Sequence, residues 1–144
     1  MKIGIASDHA GYELKSTIIQ ELNRQFNLID FGTENSEKSV DYPDFAKILC
    51  QKLINGEIEK GILICGSGVG ISIAANRFKK IRAALCFSPE VAELSRKHND
   101  ANVLCLGARI IDKPTAVKCI QTFLNTEFEA GRHIERVKKL SFEC

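Results

Sequence analysis

Short apolar runs alternate with segments of helical spacing along this 144-residue chain, and the alternation restricts the fold more than any other feature. Each run is mostly apolar, which is typical of strands that helices cover on both faces. Repeated strand–helix–strand units form parallel sheets through right-handed crossovers. The sequence therefore predicts one α/β domain over residues 1–144 with a five-stranded parallel sheet. The predicted strands are Lys2–Ser7, Asn27–Phe31, Gly61–Cys65, Arg82–Phe87 and Asn102–Leu106.

The segments between the predicted strands carry helical spacing or helix-start signals. Leu14, Ile18 and Leu22 share one face of a helix that is predicted over Gly11–Phe26. The polar segment Gly32–Tyr42 is predicted to be a long loop. Further helices are predicted from Pro43 to about Asn55, from Gly68 to about Lys79, from the Ser88 cap to about His98, and from about Lys113 to Asn125. The basic segment GRHIERVKKL, from Gly131 to Leu140, also has helical spacing.

A turn with three alternate glycines, Gly66, Gly68 and Gly70, joins the third predicted strand to its helix. Such a turn points backbone N–H groups and a helix N-terminus at one spot, which suits an anion. The spacing differs from that of a dinucleotide fingerprint and of a P-loop. It also differs from a C-x5-R phosphatase loop, because Ile71 stands where the arginine would be. A tight turn that needs glycine only for packing remains the alternative.

Six cysteines are spread along the chain without a close pair, so neither a zinc ribbon nor a disulfide framework is predicted. Cys65 lies at the mouth of the glycine turn, where the same field that binds an anion would stabilise its thiolate. The alternative interpretation is that Cys65 is a buried structural cysteine whose side chain acts as a small apolar group. The cysteines that are predicted to be core residues in a reducing compartment are Cys50, Cys86, Cys105 and Cys119.

Polar residues follow three predicted strands, at the edge of the sheet where α/β folds bind ligands. Asp8 and His9 follow the first strand and could bond sugar hydroxyls or a phosphate, although Asp8 could equally be a helix N-cap. Arg109 follows the fifth strand. His98 ends a helix and could be a general acid/base or only part of a polar C-terminal turn.

Arg132 and Arg136 are four residues apart on one predicted helical face, a spacing that suits a phosphate clamp. A solvated basic helix is the alternative. A small phosphorylated substrate fits these cations better than a nucleic acid, because the net charge is only +2 and no aromatic residues are interleaved with basic ones. No apolar run approaches the ~18 residues of a membrane span, and the N-terminus lacks a signal-peptide pattern, so a cytoplasmic protein is expected.

Five segments of the chain resemble the type B ribose-5-phosphate isomerases, in the family that also contains galactose-6-phosphate isomerase subunits. The resemblance covers almost the whole chain. The segments are IASDHAG at Ile5–Gly11, DYP at Asp41–Pro43, ICGSGVGISIAAN at Ile64–Asn76, SRKHNDANVLCLGAR at Ser95–Arg109 and GRHIERV at Gly131–Val137.

The resemblance implies a Rossmann-like three-layer αβα sandwich and an aldose–ketose isomerase of the pentose phosphate pathway that uses no metal and no cofactor. It implies a homodimer, able to pair further, whose C-terminal basic helix reaches the partner so that both subunits build each site. Ile71 occupies the position where one branch of the family has a glutamate base, which places this chain in the cysteine branch.

The resemblance also implies a role for each candidate residue. Cys65 would move the proton between C1 and C2, His98 would assist opening of the furanose ring, and Ser67 would support the reacting hydroxyls. The enediolate would be held by the amides of Gly66, Ser67, Gly68, Val69 and Gly70. The sugar would contact Asp8, Asn99 and Tyr42, and the phosphate would contact His9, Arg109, Arg132 and Arg136.

The sequence is also compatible with two alternative functions. One is an isomerase of six-carbon sugar phosphates that works with a second, different subunit. The other is a sugar-phosphate or nucleotide-binding module without catalytic activity. An assay of the purified chain alone on each sugar phosphate would distinguish a five-carbon from a six-carbon sugar isomerase. Exchange of solvent deuterium into the substrate would exclude a binding module without catalytic activity.

Overall fold

The computed structural model describes residues 1–141, and it has the predicted alternation of strands and helices. The strands are β1 (Lys2–Ser7), β2 (Asn27–Asp30), β3 (Lys60–Cys65), β4 (Ala83–Leu85) and β5 (Val103–Gly107). The helices are α1 (Tyr12–Leu22), α2 (Tyr42–Ile54), α3 (Val69–Asn76), α4 (Pro89–Asn99), α5 (Lys113–Asn125) and α6 (His133–Lys139).

All strand pairs are parallel, and the five strands lie in the order β2-β1-β3-β5-β4. The three central strands are almost wholly buried, as their apolar sequences predicted. The chain leaves β1 towards β2 and then crosses back to β3, so the strand order reverses between β1 and β3. Ligands in such sheets bind beyond the carboxyl ends of the strands at this reversal.

Helices cover both faces of the sheet. Alternate residues of β3 point to opposite faces. Ile62 belongs to the core under α1, α4 and α5, whereas Leu63 belongs to the core under α2 and α3. The prediction of a three-layer sandwich with a five-stranded parallel sheet is therefore confirmed.

Helices α1 and α3 and strand β4 are shorter than the sequence suggested, and β2 ends one residue early, at Asp30. Helix α1 ends at Leu22 rather than Phe26, because the chain turns there while Phe26 still packs on the core. Helix α3 ends at Asn76 rather than Lys79, where the Asn76 side chain bonds both backbone groups of Ala83, at 2.8 and 2.9 Å. Strand β4, predicted over Arg82–Phe87, has only three residues because it lies at the sheet edge and pairs with β5 alone.

The two ends of the sheet carry different parts of the chain. Helices α4 and α5 follow strands and run back across the sheet, so their last residues lie at its amino edge. Strand β3 has six residues at about 3.3 Å each, so the two edges are about 20 Å apart. Residues that follow strands therefore cannot meet residues that end α4 or α5 within one chain.

Among residues 1–141, no helix combines the length and the apolar character that a bilayer crossing needs.

Candidate active site

A cleft of about 460 Å³ opens at the carboxyl edge of the sheet, at the reversal of strand order. Its walls come from the ends of β1, β3 and β5 and from the first turns of α2 and α3. The residues that line it are Asp8, Tyr42, Cys65, Gly66, Ser67, Val69, Gly70, Arg109 and Ile110. All except Ile110 are residues that the sequence had proposed, so the structure brings this part of the predicted site together.

Cys65 is the last residue of β3 and is 4% exposed at the base of the cleft. The backbone N–H of Gly68 donates a hydrogen bond of 3.1 Å to its Sγ atom, which fixes the sulfur beside the glycine turn. The thiol therefore faces the cleft and is also packed at the edge of the core.

The four cysteines that were predicted to be core residues are all buried. Burial raises the pKa of Cys50 and of Cys86 to about 12 and that of Cys119 to about 11. Burial also raises the pKa of Cys105, to well above the ordinary thiol range. These side chains therefore stay protonated at neutral pH and act as small apolar groups. Cys144 lies outside the described residues.

Close packing explains two of the glycines in the turn. Gly68 has a φ of +78°, and a Cβ there would lie 2.5 Å from Leu85 and 2.9 Å from the Leu106 backbone. A Cβ on Gly70 would lie 2.5 Å from the Tyr42 ring, so the absence of a side chain lets that ring reach the cleft. The packing interpretation of the turn is therefore correct for Gly68, and it does not conflict with the predicted ligand-binding role of the turn.

Two amides of the turn already have partners. The Gly68 N–H bonds to Cys65, and the Val69 N–H donates to the Ser67 hydroxyl oxygen at 3.2 Å. An oxyanion that used these two amides would have to replace those hydrogen bonds.

Backbone hydrogen bonds join the end of β5 to the glycine turn. The Ala108 N–H donates to the Cys65 carbonyl and the Arg109 N–H donates to the Gly66 carbonyl, each at 2.9 Å. These bonds hold the exposed Arg109 guanidinium beside Gly66, where a Cβ would lie only 3.0 Å from Nη1. A phosphate at this edge of the cleft would be within reach of a cation.

Asp8 and His9 follow β1 with different surroundings. Asp8 is buried, lines the cleft and accepts the Gly11 N–H at 3.1 Å, so it stabilises the turn that leads into α1 while facing the site. His9 does not line the cleft. Its Nδ1 atom lies 3.1 Å from the backbone nitrogen of Val40, in the long loop before α2, which leaves Nε2 on the other side of the ring.

The remaining candidates lie at the opposite edge of the sheet. His98 and Asn99 end α4, Arg132 is the N-cap of α6, and Arg136 lies one turn further on. Asn99 lines a separate cleft of about 780 Å³ with Arg77, Arg82 and other amino-edge residues. One chain therefore does not bring these four residues to Cys65, and their grouping around one glycine turn stays a prediction that requires a second copy of the chain.

His133 was not among the site residues predicted from the sequence. It is 5% exposed, and its ring stacks on that of His98 with 4.4 Å between centroids and 18° between planes. Its only sequence signal was its position next to Arg132. Burial lowers the pKa of His133, and the charges of His98, Arg132 and Arg136 lower it further, while Glu129 opposes them.

His98, Glu129 and His133 also form a group of potential metal ligands, with ligand atoms within 4.8 Å of one another. A metal ion lies close to the plane of each imidazole that binds it. The two rings are nearly parallel, so their lone pairs cannot converge on one ion unless a ring turns. This geometry suits a stacked pair better than a metal centre.

Comparison with known proteins places these features in a family. Residues 3–140 match the Ribose/Galactose Isomerase family. Ribose-5-phosphate isomerase B of Escherichia coli strain K12 is 45% identical over 141 residues, which cover 97% of this chain and 94% of that protein.

Solved structures agree with the sequence match. The Clostridium thermocellum ribose-5-phosphate isomerase B superimposes with a TM-score of 0.94 at 50% identity, covering 98% of this chain and 95% of the other. The Mycoplasma genitalium ribose-5-phosphate isomerase B, solved with bound ribulose-5-phosphate, gives a TM-score of 0.91 at 44% identity, covering 97% and 93%.

Proposed function

This chain belongs to the ribose/galactose isomerase family, and we propose that it interconverts ribose 5-phosphate and ribulose 5-phosphate as a step of the pentose phosphate pathway. The observation that carries the proposal is the Cys65 thiol, fixed by a backbone amide at the glycine turn where the strand order reverses. The relative that was solved with ribulose-5-phosphate supports the choice of a five-carbon sugar phosphate.

Isomerisation moves one proton between C2 and C1 of the open-chain sugar. Cys65 removes the C2 proton of the aldose, which leaves an enediolate, and returns a proton to C1 to give the ketose. The enediolate is the high-energy species, so fixed amide donors of the glycine turn speed the reaction by stabilising its negative charge. Ser67, at the same mouth, supports proton transfer between the two hydroxyls. Ile71 is wholly buried and cannot act as a base, so the glutamate that one branch of the family uses has no counterpart here and the base is assigned to the Cys65 thiol.

We propose that each site is completed by a second copy of the chain. Asp8, Tyr42, Cys65 and Arg109 lie at the carboxyl edge, and His98, Asn99, Arg132 and Arg136 lie about 20 Å away at the amino edge. A two-fold axis that sets two sheets in opposite directions would bring the amino edge of one chain to the carboxyl edge of the other. Two such sites form in each homodimer, with the basic α6 of each copy reaching the partner's cleft.

The phosphate in this arrangement meets His9 and Arg109 from one copy and Arg132 and Arg136 from the other. Binding energy from the phosphate, which takes no part in the chemistry, positions C1 and C2 against the thiol. Because phosphorylated sugars are made and kept inside the cell, we place the enzyme in the cytoplasm. The free, buried cysteines agree with a reducing compartment.

The test of this function is an isomerase assay on the purified chain alone, with a chelator present and either ribose 5-phosphate or a six-carbon aldose phosphate as substrate. We expect the chain to form ketose from ribose 5-phosphate at the same rate with and without the chelator. Activity only on the six-carbon sugar, or only after a second protein is added, would contradict the proposal. Absence of solvent deuterium from recovered substrate would instead indicate a binding module.

Arg132→Ala and Arg136→Ala are each expected to weaken binding of the phosphorylated sugar by about 1.5–3 kcal/mol, the range for hydrogen bonds to charged groups. The expected change is a higher KM for ribose 5-phosphate. The matched comparison is unphosphorylated ribose, which should be a poor substrate for the parent and almost unaffected by either change. Equal losses on both sugars would show that the arginines support the fold rather than the phosphate. Lys138→Ala, at an exposed position of α6, is the control for loss of a positive charge.

A further inference from the structure

Lys15, on α1, is wholly buried, although the proposed mechanism gives it no part. A lysine is rarely buried unless its ammonium group is paired. Here Nζ donates to Oδ1 of Asp30, at the end of β2, and to the carbonyl of Thr33, each at 2.6 Å. One ammonium group therefore joins α1 to the end of β2 and to the start of the loop over residues 31–41, which leads to α2.

The segment that Lys15 holds lies against the last residue of β1. The Ser7 N–H donates to the Gly32 carbonyl at 2.8 Å, and the Thr33 N–H donates to the Ser7 carbonyl at 2.9 Å. The Gly32 N–H in turn donates to the Asp30 carboxylate at 2.9 Å. We call the five residues Lys15, Asp30, Gly32, Thr33 and Ser7 the Lys15 network. It fixes the backbone at the point where β1 ends and the site residues that follow it begin.

His9 is attached to the Lys15 network through both its ring and its backbone. The loop that begins at the network returns to the ring, where Nδ1 lies 3.1 Å from the backbone nitrogen of Val40 and 3.2 Å from the Val40 carbonyl oxygen. The backbone of His9 lies two residues after Ser7 and leads into α1, the helix that carries Lys15. The elements on either side of His9 are therefore joined to each other by one buried ammonium group.

We propose that Lys15 is a positioning residue for phosphate binding, which holds the loop and the end of β1 so that Nε2 of His9 faces the phosphate of the bound sugar. Lys15 does not line the cleft, so it acts only through His9. The inference rests on the proposed function, because it requires a phosphorylated substrate at this edge of the sheet. It predicts weaker binding of that substrate and an unchanged chemical step, since Cys65 lies on β3, outside the Lys15 network.

The test measures KM and kcat for ribose 5-phosphate in Lys15→Met, which keeps the length of the side chain and removes its charge and hydrogen bonds. We expect KM to rise roughly 10-fold, equivalent to the loss of one hydrogen bond to a charged group, and kcat to remain near the parental value. The dissociation constant of ribose 5-phosphate, measured by calorimetry in the Cys65→Ala background so that no turnover occurs, should rise with KM. Lys52→Met is the matched control, because Lys52 forms a surface ion pair with Glu57 at 2.8 Å and its loss should change neither value.

The route through His9 is tested by combining two changes. His9→Asn should raise KM by itself, and adding Lys15→Met should then raise KM by less than about 3-fold more, because the ring that Lys15 positions is already absent. Asp30→Asn keeps the shape of a half-exposed side chain and removes the negative charge that pairs with Lys15. It should raise KM as Lys15→Met does, and the same combination with His9→Asn decides the question if Lys15→Met does not fold.

An unchanged KM in the folded variants, a fall in kcat without a rise in KM, or effects of Lys15→Met and His9→Asn that multiply fully would each overturn the proposal. Thermal unfolding is measured alongside. A lower unfolding temperature with parental KM, or failure of both Lys15→Met and Asp30→Asn to fold, would show that the ion pair serves only the fold. An inactive parent contradicts the proposed function instead, and the calorimetric constant still tests the role of Lys15. An active parent whose KM does not respond to His9→Asn contradicts the phosphate contact of His9 and the proposal with it.

Discussion

Cys65→Ala is expected to lower the rate of isomerisation by about 10²–10⁴-fold, the range for loss of a group that transfers a proton. The physical reason is that a C–H bond next to a carbonyl is a weak acid, so its proton leaves only with a base in position, and that base is proposed to be the Cys65 thiol. Sugar-phosphate binding should change little, because the phosphate is proposed to contact other side chains. The measurement is ketose formation together with calorimetric binding of ribose 5-phosphate to the same preparation.

Cys50→Ala and Cys119→Ala are the matched controls for this change. Both side chains are wholly buried, and burial holds their thiols protonated, so their loss should lower the free energy of unfolding by about 0.5–3 kcal/mol and leave turnover nearly intact. If Cys65→Ala retained more than about one per cent of the parental turnover, Cys65 would not be the base.

His98→Asn is expected to slow consumption of ribose 5-phosphate by roughly 10²-fold while sparing exchange of solvent deuterium into ribulose 5-phosphate. Ribose 5-phosphate exists mainly as a closed ring, and opening it requires a proton on the ring oxygen. Ribulose 5-phosphate carries its phosphate on the C5 oxygen and cannot close a furanose ring, so its enolisation does not require that proton. An imidazole titrates near neutral pH and suits such a transfer.

The comparison of the two rates within one variant decides the role of His98. Net turnover in the two directions is tied by the equilibrium constant, whereas deuterium exchange reports enolisation alone. Equal loss of exchange and consumption would make His98 a binding or structural residue. His9→Asn serves as a comparison, since His9 is proposed to contact the phosphate and its loss should affect both rates alike.

The arrangement of the sheet could be predicted from the sequence because buried parallel strands leave a simple pattern. The apolar runs at β1, β3 and β5 are covered on both faces, and their predicted positions agree with the structure to within a residue. Element ends were less predictable because they depend on tertiary contacts. Phe26 continued a helical pattern only because it packs on the core, and the side-chain bonds of Asn76 to Ala83 ended α3 early.

The candidate site was predictable only in part. The carboxyl-edge residues follow strands directly, so the general rule for α/β sheets places Asp8, Cys65 and Arg109 together without knowledge of the family. The expectation of an isomerase came from the resemblance, and the family match confirms it. His98 and the two arginines of the α6 segment carry no local signal of the edge on which they lie, because that depends on the direction of α4 and α5. His133 could not be identified from sequence, since ring stacking leaves no pattern.

The most direct test of the whole account is a mixing experiment between two defective chains, Cys65→Ala and the double variant Arg132→Ala/Arg136→Ala. Each is first refolded alone, and both should be almost inactive on ribose 5-phosphate. The two are then unfolded, mixed in equal amounts and refolded. If one copy supplies the thiol and the other the arginines, half of the dimers are mixed and each mixed dimer has one intact site, so about a quarter of the parental activity should return. If each site is built within one chain, every site in the mixture keeps a defect, and no recovery of activity would contradict the shared site.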